Sequence, residues 1–262
     1  MVLVSSPPRP PHAAQRLDVV LVERGLAPSR ERAQALIAAG LVEVAGGKAS
    51  SAAHRVATGA AIRLLGRDHP YASRGGIKLA AALDAFAVDP AGRVCLDAGA
   101  STGGFTDVLL RKGAALVYAV DVGYGQLLGR LATDDRVRVL DRTNLRLLRE
   151  LAGPPPSLVS LDLSFISLRT VLPRVAGLAA PGAEVVALVK PQFEVGRELV
   201  GKGGIVRDTA VGEQAARDLI AWAEQTLGAT ARGPVASPIA GGKGNREWLV
   251  HLRLPGGAEP AP

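Results

Sequence analysis

Residues 94–105 read VCLDAGASTGGF, and the reading of this stretch decides the fold. An apolar run, Val94-Cys95-Leu96, ends on Asp97 and gives way to Gly99, Ser101, Gly103 and Gly104, after which a helical pattern runs over residues 106–112. Strand, glycine turn and helix in that order begin a parallel α/β unit. The turn lies at the carboxyl end of the strand, where glycine lets a ligand approach the backbone. The next strand-like run, residues 116–122, carries Asp121, 24 residues after Asp97. An acid there can accept hydrogen bonds from both hydroxyls of a ribose.

The glycine spacing narrows the ligand. A dinucleotide turn reads G-x-G-x-x-G, and its second glycine admits a pyrophosphate. Here the pattern is D-x-G-x-S-x-G-G, with Ser101 in that place. An adenosine ligand without phosphates, S-adenosylmethionine, fits better, although a plain surface turn of an α/β domain has the same appearance.

Outward from this turn, strand patterns at residues 94–97, 116–122, 137–140, 158–163 and 183–190 alternate with helical patterns at 75–86, 106–112, 126–131, 145–151, 168–178 and 208–227. Short Val- and Leu-rich strands between helices predict a parallel sheet buried on both faces. Two last strands, 235–237 and 247–254, are joined by a glycine-rich loop too short for a crossover helix, so they form an antiparallel pair. The fold class is a Rossmann-like α/β domain with a mostly parallel seven-stranded sheet, preceded by a small α+β unit.

That smaller unit begins after a Pro-rich stretch, residues 1–13, which reads as a flexible tail. Residues 16–24 are helical and stop at Gly25; Ser29 caps a second helix over 30–39; strands at 41–44 and 61–65 follow. The predicted organisation is a tail (1–13), a small domain (14–66), a linker (67–74), the α/β domain (75–255) and a second tail (256–262). The net charge is +7, and residues 1–78 hold eleven Lys/Arg against five acids, which places +6 of it in under a third of the chain. A basic module joined to a near-neutral one suggests a polyanion held by the first and worked on by the second, though a solvated basic surface has the same composition.

Ligands in such sheets sit outside the carboxyl ends of the strands. Asp162 interrupts LVSLDLSF, Lys190 ends VVALV and Glu247 opens the last strand. Each alone can be a structural charge. Together they face one crevice, where buried charges must be paired. Lys78 lies near a helix N-terminus, where a cation opposes the helix dipole. With only six lysines among 31 cations, a retained lysine suggests a compact ammonium that can also act as a base, which arginine cannot.

Two resemblances sharpen this. RLDVVLVERGLAPSRERAQALIAAGLV resembles the S4 domain, an RNA-binding module, and implies that Arg16, Arg30 and Arg32, with Arg74 beyond the linker, contact structured RNA. LDAGASTGGFTDVLL, AVDVGYGQL, RTNLR, LDLSFISL, LVKPQFEVG and GNREW, with SRGGIK, resemble the TlyA family of bacterial rRNA 2′-O-methyltransferases, once called hemolysins. The resemblance runs from about residue 16 to 254 and implies an S4 domain joined to an FtsJ-like domain that methylates cytidine ribose in 16S or 23S rRNA from S-adenosylmethionine. It also implies a Lys-Asp-Lys-Glu tetrad at Lys78, Asp162, Lys190 and Glu247. Asp97, Gly99, Ser101, Thr102, Gly103, Gly104 and Phe105 would hold the cofactor, with Asp121 at its ribose and Asp141 at its adenine. Lys190 would accept or steer the 2′-hydroxyl proton, Asp162 would orient Lys190, and Glu247 would position Lys78. One departure is His69-Pro70-Tyr71-Ala72, where some members carry a different aromatic-containing linker.

Rival readings are a membrane-lytic toxin, a non-catalytic RNA-binding assembly factor, and a dehydrogenase. The first needs a spanning or strongly amphipathic segment, and no apolar run of about 18 residues occurs. The four histidines show no ligand spacing, so no metal is expected. Cys95, the only cysteine, reads as a buried small residue in a cytoplasmic protein.

Overall fold

The computed structural model describes residues 14–27, 29–38, 40–57, 59–65 and 69–256. Both expected tails, apart from Gly256, and residues 67 and 68 of the expected linker lie outside that set. The chain divides into two compact units, Met1–Ala72 and Ser73–Pro262.

In the first unit, β1 (Gln15–Arg16) leads into helices α1 (Leu17–Glu23) and α2 (Arg30–Ala38), followed by β2 (Val42–Val44), β3 (Gly47–Lys48), β4 (Arg55–Val56) and β5 (Ile62–Leu64). β2 pairs antiparallel with β3 and β5, and β1 pairs with β4. Leu17, Val20 and Leu21 of α1 pack with Ala33, Leu36 and Ile37 of α2 and with Val42 and Val56. Asp18 is buried among them. It accepts hydrogen bonds from Arg16 (3.0 Å), Arg30 (3.0 Å) and Gln34 (2.9 Å), and the Arg16 bond, backed by the other two, holds its carboxyl well below the usual carboxylate range.

The second unit runs α3 (Gly75–Ala85), β6 (Val94–Ala98), α4 (Gly104–Arg111), β7 (Leu116–Val120), α5 (Gly129–Ala132), β8 (Val137–Leu140), β9 (Leu158–Leu161), α6 (Leu168–Leu178), β10 (Glu184–Val189), α7 (Pro191–Glu194), α8 (Thr209–Leu227), β11 (Thr230–Ala236) and β12 (Trp248–Arg253). Seven strands form one sheet in the order β11-β12-β10-β9-β6-β7-β8. β8, β7, β6, β9 and β10 are parallel, and β12 runs antiparallel to β10 and β11. The chain proceeds from β6 outward to β8 and then returns to β9 on the other side of β6. The carboxyl ends of β6 and β9 therefore flank a switch point, the place where such sheets bind ligands. Helices cover both faces, and Val159, Leu161, Val185, Ala187 and Val250 are buried with Val171, Val175, Ala216 and Leu219.

Three expectations are corrected. Residues 145–151 form no helix. Asn144 takes the amide of Arg146 on its side chain (3.0 Å) and those of Leu147 and Leu148 on its carbonyl (2.9 and 3.1 Å), so one turn closes locally. Leu145 is buried in the core and Leu148 and Leu151 pack against it, which reproduces a helical spacing without a helix, and Pro154-Pro155-Pro156 then bars continuation. The helix expected over 126–131 shrinks to Gly129–Ala132, because Leu128 is extended and acts as its N-cap. The strand expected at 235–237 begins at Thr230, with a register irregularity between Arg232 and Val235. Gly233-Pro234 lies at that irregularity, and its glycine and proline masked the strand in the sequence.

Candidate active site

The sheet brings the four tetrad positions together by register. β10 and β12 are antiparallel with Val189 opposite Trp248, so Lys190 and Glu247, one step beyond each, sit side by side. β9 is parallel to both β6 and β10, which puts Asp162 beside Gly99 on one flank and toward Lys190 on the other. Lys78, on the first turn of α3, reaches the same place. Its Nζ donates to Glu247 Oε2 at 2.5 Å, with both side chains buried. Lys190 Nζ lies 2.6 Å from Asp162 Oδ1 and donates to Ser164 Oγ at 2.9 Å. The result is two ion pairs in one crevice.

Clefts open on three sides of Asp162. The first, about 260 Å³, lies between the glycine turn and α3 and is lined by Ser73, Arg74, Lys78, Gly99, Ser101 and Phe105. The second, about 480 Å³, is bounded by Ser101, Asp121, Gln126, Thr143, Leu163 and Ile166. The third, about 390 Å³, contains both lysines, Glu247, Ser164, Phe193 and Lys243. Volumes of this order hold small-molecule ligands.

The glycine turn is built for close packing. Gly99 has φ +88°, and a Cβ on it would meet the carbonyl oxygen of Asp162 at 2.5 Å. Asp162 N also donates to Ala98 O at 3.0 Å, so the turn and the tetrad acid are tied through backbone. Ser101 adopts φ +47°, and its amide donates to Asp121 Oδ2 (2.8 Å), while Gly123 N donates to Asp121 Oδ1 (2.7 Å). Asp97 lies beneath the turn, fully buried. Its Oδ2 accepts from Thr106 Oγ1 at 2.6 Å, and its Oδ1 has no partner. Burial pushes its carboxyl up to about 7, the Thr106 bond opposing and the charges of Asp162 and Asp121 adding to the rise.

Of the expected cofactor residues, Gly99, Ser101, Gly104, Phe105 and Asp121 line these clefts. Asp97, Thr102, Gly103 and Asp141 do not. Gly103 backs onto Leu127 and Leu131, Thr102 O accepts the amide of Leu128, and Asp141 accepts the amide of Gly125 at 2.8 Å. Sequence reasoning passed over Gln126, Thr143, Asn144, Ser164 and Phe165, all on the cleft walls. For Ser164 a signal existed: it is a polar residue two positions past a strand-end acid.

Of the expected RNA contacts, Arg16 and Arg30 share Asp18 and stay about half exposed, at 44% and 57% of their side chains. Arg32 donates to the backbone carbonyls of His69 and Tyr71. Arg74 is exposed and reaches Ala240 O at 3.4 Å. Cys95 is buried, and burial raises its thiol to about 12, which leaves it unreactive.

The FtsJ-like methyltransferase model matches residues 71–254, and the S4 domain model matches residues 15–62. The chain belongs to the TlyA group of FtsJ-like methyltransferases. The 16S/23S rRNA (cytidine-2′-O)-methyltransferase TlyA of Mycobacterium tuberculosis is 51% identical over 91% of this chain and 89% of its own length. Hemolysin A of Brachyspira hyodysenteriae is 39% identical over 90% of this chain and 99% of its own. The solved structure of a hemolysin-named protein from Streptococcus thermophilus is 42% identical with a TM-score of 0.73, covering 92% of this chain and 89% of that one. In this FtsJ-like methyltransferase no helix among the described residues is long and apolar enough to cross a membrane.

Proposed function

We propose that this FtsJ-like methyltransferase transfers the methyl group of S-adenosylmethionine to the 2′-hydroxyl of a cytidine in ribosomal RNA. The observation that carries the reading is the pair of ion pairs, Lys78–Glu247 and Lys190–Asp162, opening on one cleft beside the glycine turn.

The residues present fit the cofactor. The unpartnered Oδ1 of Asp97 beneath the turn and the glycine-lined cleft above it suit a ligand with a cationic amino-acid end. Asp121 suits a ribose, and Leu145, Leu163, Ile166 and Val171 suit the face of an adenine. When bound, S-adenosylmethionine supplies a methyl group on a sulfonium, a good leaving group. The chain then has to place a ribose oxygen in line and manage its proton. Lys190, oriented by Asp162, meets the 2′-hydroxyl and accepts or steers its proton. Lys78, fixed by Glu247, supplies a second positive group that holds the oxygen in place. Arg16, Arg30, Arg32 and Arg74 contribute to RNA binding, with charge-based, salt-sensitive affinity.

The test is a map of 2′-O-methylcytidine in rRNA from cells with the gene, without it, and with the Lys190→Ala form. Methylation absent in the last two and present in the first is expected. An unchanged map on deleting the gene would refute the reading.

A further inference from the structure

We infer that Ser164 is a positioning residue for methyl transfer: its hydroxyl, with Asp162, fixes the direction in which Lys190 addresses the substrate. The inference rests on the reading of Lys190 given above.

An amino nitrogen has four tetrahedral directions. At Lys190 one is taken by Cε and one N–H is donated to Ser164 Oγ at 2.9 Å, while Asp162 Oδ1 stands 2.6 Å from the nitrogen as its ion-pair partner. The hydroxyl and the carboxylate together confine the directions left for the substrate. A direction turned to the substrate carries an N–H when the nitrogen is an ammonium and can carry the lone pair when it is an amine, and the amine still has an N–H for Ser164. A carboxylate alone would leave the nitrogen free to swing about one contact. Two partners restrict that freedom, so orientation is paid for during folding rather than during the reaction.

Ser164 stands where such a group is needed. With Asp162 and Phe165 it lines both the cleft that holds Asp121 and the cleft that holds the two lysines. The backbone accepts strain to put it there: the next residue, Phe165, is 86% exposed and has φ +64°, a left-handed conformation that favours glycine. The loop carrying Ser164 is also pinned to the segment carrying Lys190. Glu194, at the end of α7, accepts from Ser167 Oγ (2.7 Å) and from Leu168 N (2.8 Å). Phe165 and Phe193 pack with ring centroids 5.3 Å apart. Two bonds and a ring contact thus hold Ser164 in register with Lys190.

The experiment uses the full chain, ribosomal subunits from cells lacking the gene, and S-adenosylmethionine labelled in its methyl group. Wild type, Ser164→Ala, Ser164→Thr and Lys190→Ala are compared for kcat, for KM toward subunits, and for cofactor affinity by calorimetry. Ser164→Ala is expected to lower kcat by about 10- to 100-fold, the range that a misplaced reacting group costs. KM and cofactor affinity should stay within about twofold, and Ser164→Thr, which keeps a hydroxyl, should recover most of the rate. An inactive Lys190→Ala beside a fully active Ser164→Ala would overturn the role of Ser164 alone. A fully active Lys190→Ala would overturn the underlying reading. A Ser164→Ala defect confined to KM, or one that threonine fails to rescue, would assign the serine to substrate contact or shape and overturn positioning. Ser164 is exposed, so the melting temperature of the alanine form should match wild type.

Discussion

Asp162 Oδ1 lies 2.6 Å from Lys190 Nζ, joining the ends of two neighbouring parallel strands, β9 and β10, next to the sheet's switch point. Since Asp162 also borders the glycine turn, the cofactor side and the lysine side of the crevice share one carboxylate. Replacement of Lys190 by alanine should therefore lower kcat by at least about 100-fold, the usual loss with a general base. Cofactor affinity should change little. Lys190→Arg keeps the charge but cannot act as a base and splays a planar fork across a site shaped for a compact ammonium, so it should be as inactive as alanine. Single-turnover methyl transfer checks both.

Lys78 and Glu247 form the more buried of the two pairs, with 10% and 4% of their side chains exposed. Changing Glu247 to leucine should destabilise the protein by about 3–5 kcal/mol, because it leaves a buried ammonium without a counter-charge. The double form Lys78→Met with Glu247→Leu should regain most of that stability and none of the activity. Denaturant melts separate the two effects. A double form no more stable than Glu247→Leu would mean that the pair is not what the site needs for folding.

Much of this crevice was legible in the sequence because the chemistry sits at strand ends, and strand ends are marked by apolar runs that stop on a charge. Asp162 after LVSL and Lys190 after VVALV are such marks. The helix over Leu168–Leu178 was legible because its spacing of apolar residues matches one buried face. Residues 145–151 misled because a leucine every third position satisfies a core from a loop as well as from a helix. The first part of β11 stayed hidden because Gly233-Pro234 occupies its irregular middle, so only its end, from Val235, was legible. Ser164 was missed because its role depends on which residue the strand order places opposite, and strand order is not local.

Gly99 couples the two halves of the site. With φ +88°, and a Cβ that would stand 2.5 Å from Asp162 O, Gly99→Ala forces either the turn or the strand end to move. The backbone strain alone is about 1–3 kcal/mol. Both cofactor affinity and kcat should fall, unlike the Lys190 forms, in which kcat alone falls. A normal cofactor affinity in Gly99→Ala would argue against the contact.

In the first unit, Asp18 holds Arg16, Arg30 and Gln34 from a buried position. Asp18→Ala should cost about 2–3 kcal/mol in that unit, on the scale of a hydrogen bond to a charged group. RNA affinity should drop with cofactor affinity intact. Faster amide exchange confined to residues 15–64 would locate the loss, and exchange rising equally across the α/β unit would refute a local role.

Asp97 gives a prediction in pH. Its carboxyl is raised from 3.8 to about 7, chiefly by burial. A carboxyl whose folded value lies above its unfolded value keeps its proton longer when folded, so folding takes up a proton between those two values. Stability from this residue therefore falls as pH rises from about 4 to about 7, by up to about 4 kcal/mol for a shift of this size. Other carboxyls, Asp107, Asp134 and Glu184 among them, are lowered by arginine partners and act in the opposite sense at more acid pH. The difference between wild type and Asp97→Asn isolates the residue, because an asparagine oxygen still accepts the Thr106 hydroxyl. At pH 4 the two forms should be of similar stability, and at pH 8 the asparagine form should be the more stable. A difference that stays flat across pH 4–8 would show that Asp97 is ionised throughout and that a cation in the protein already answers its free oxygen.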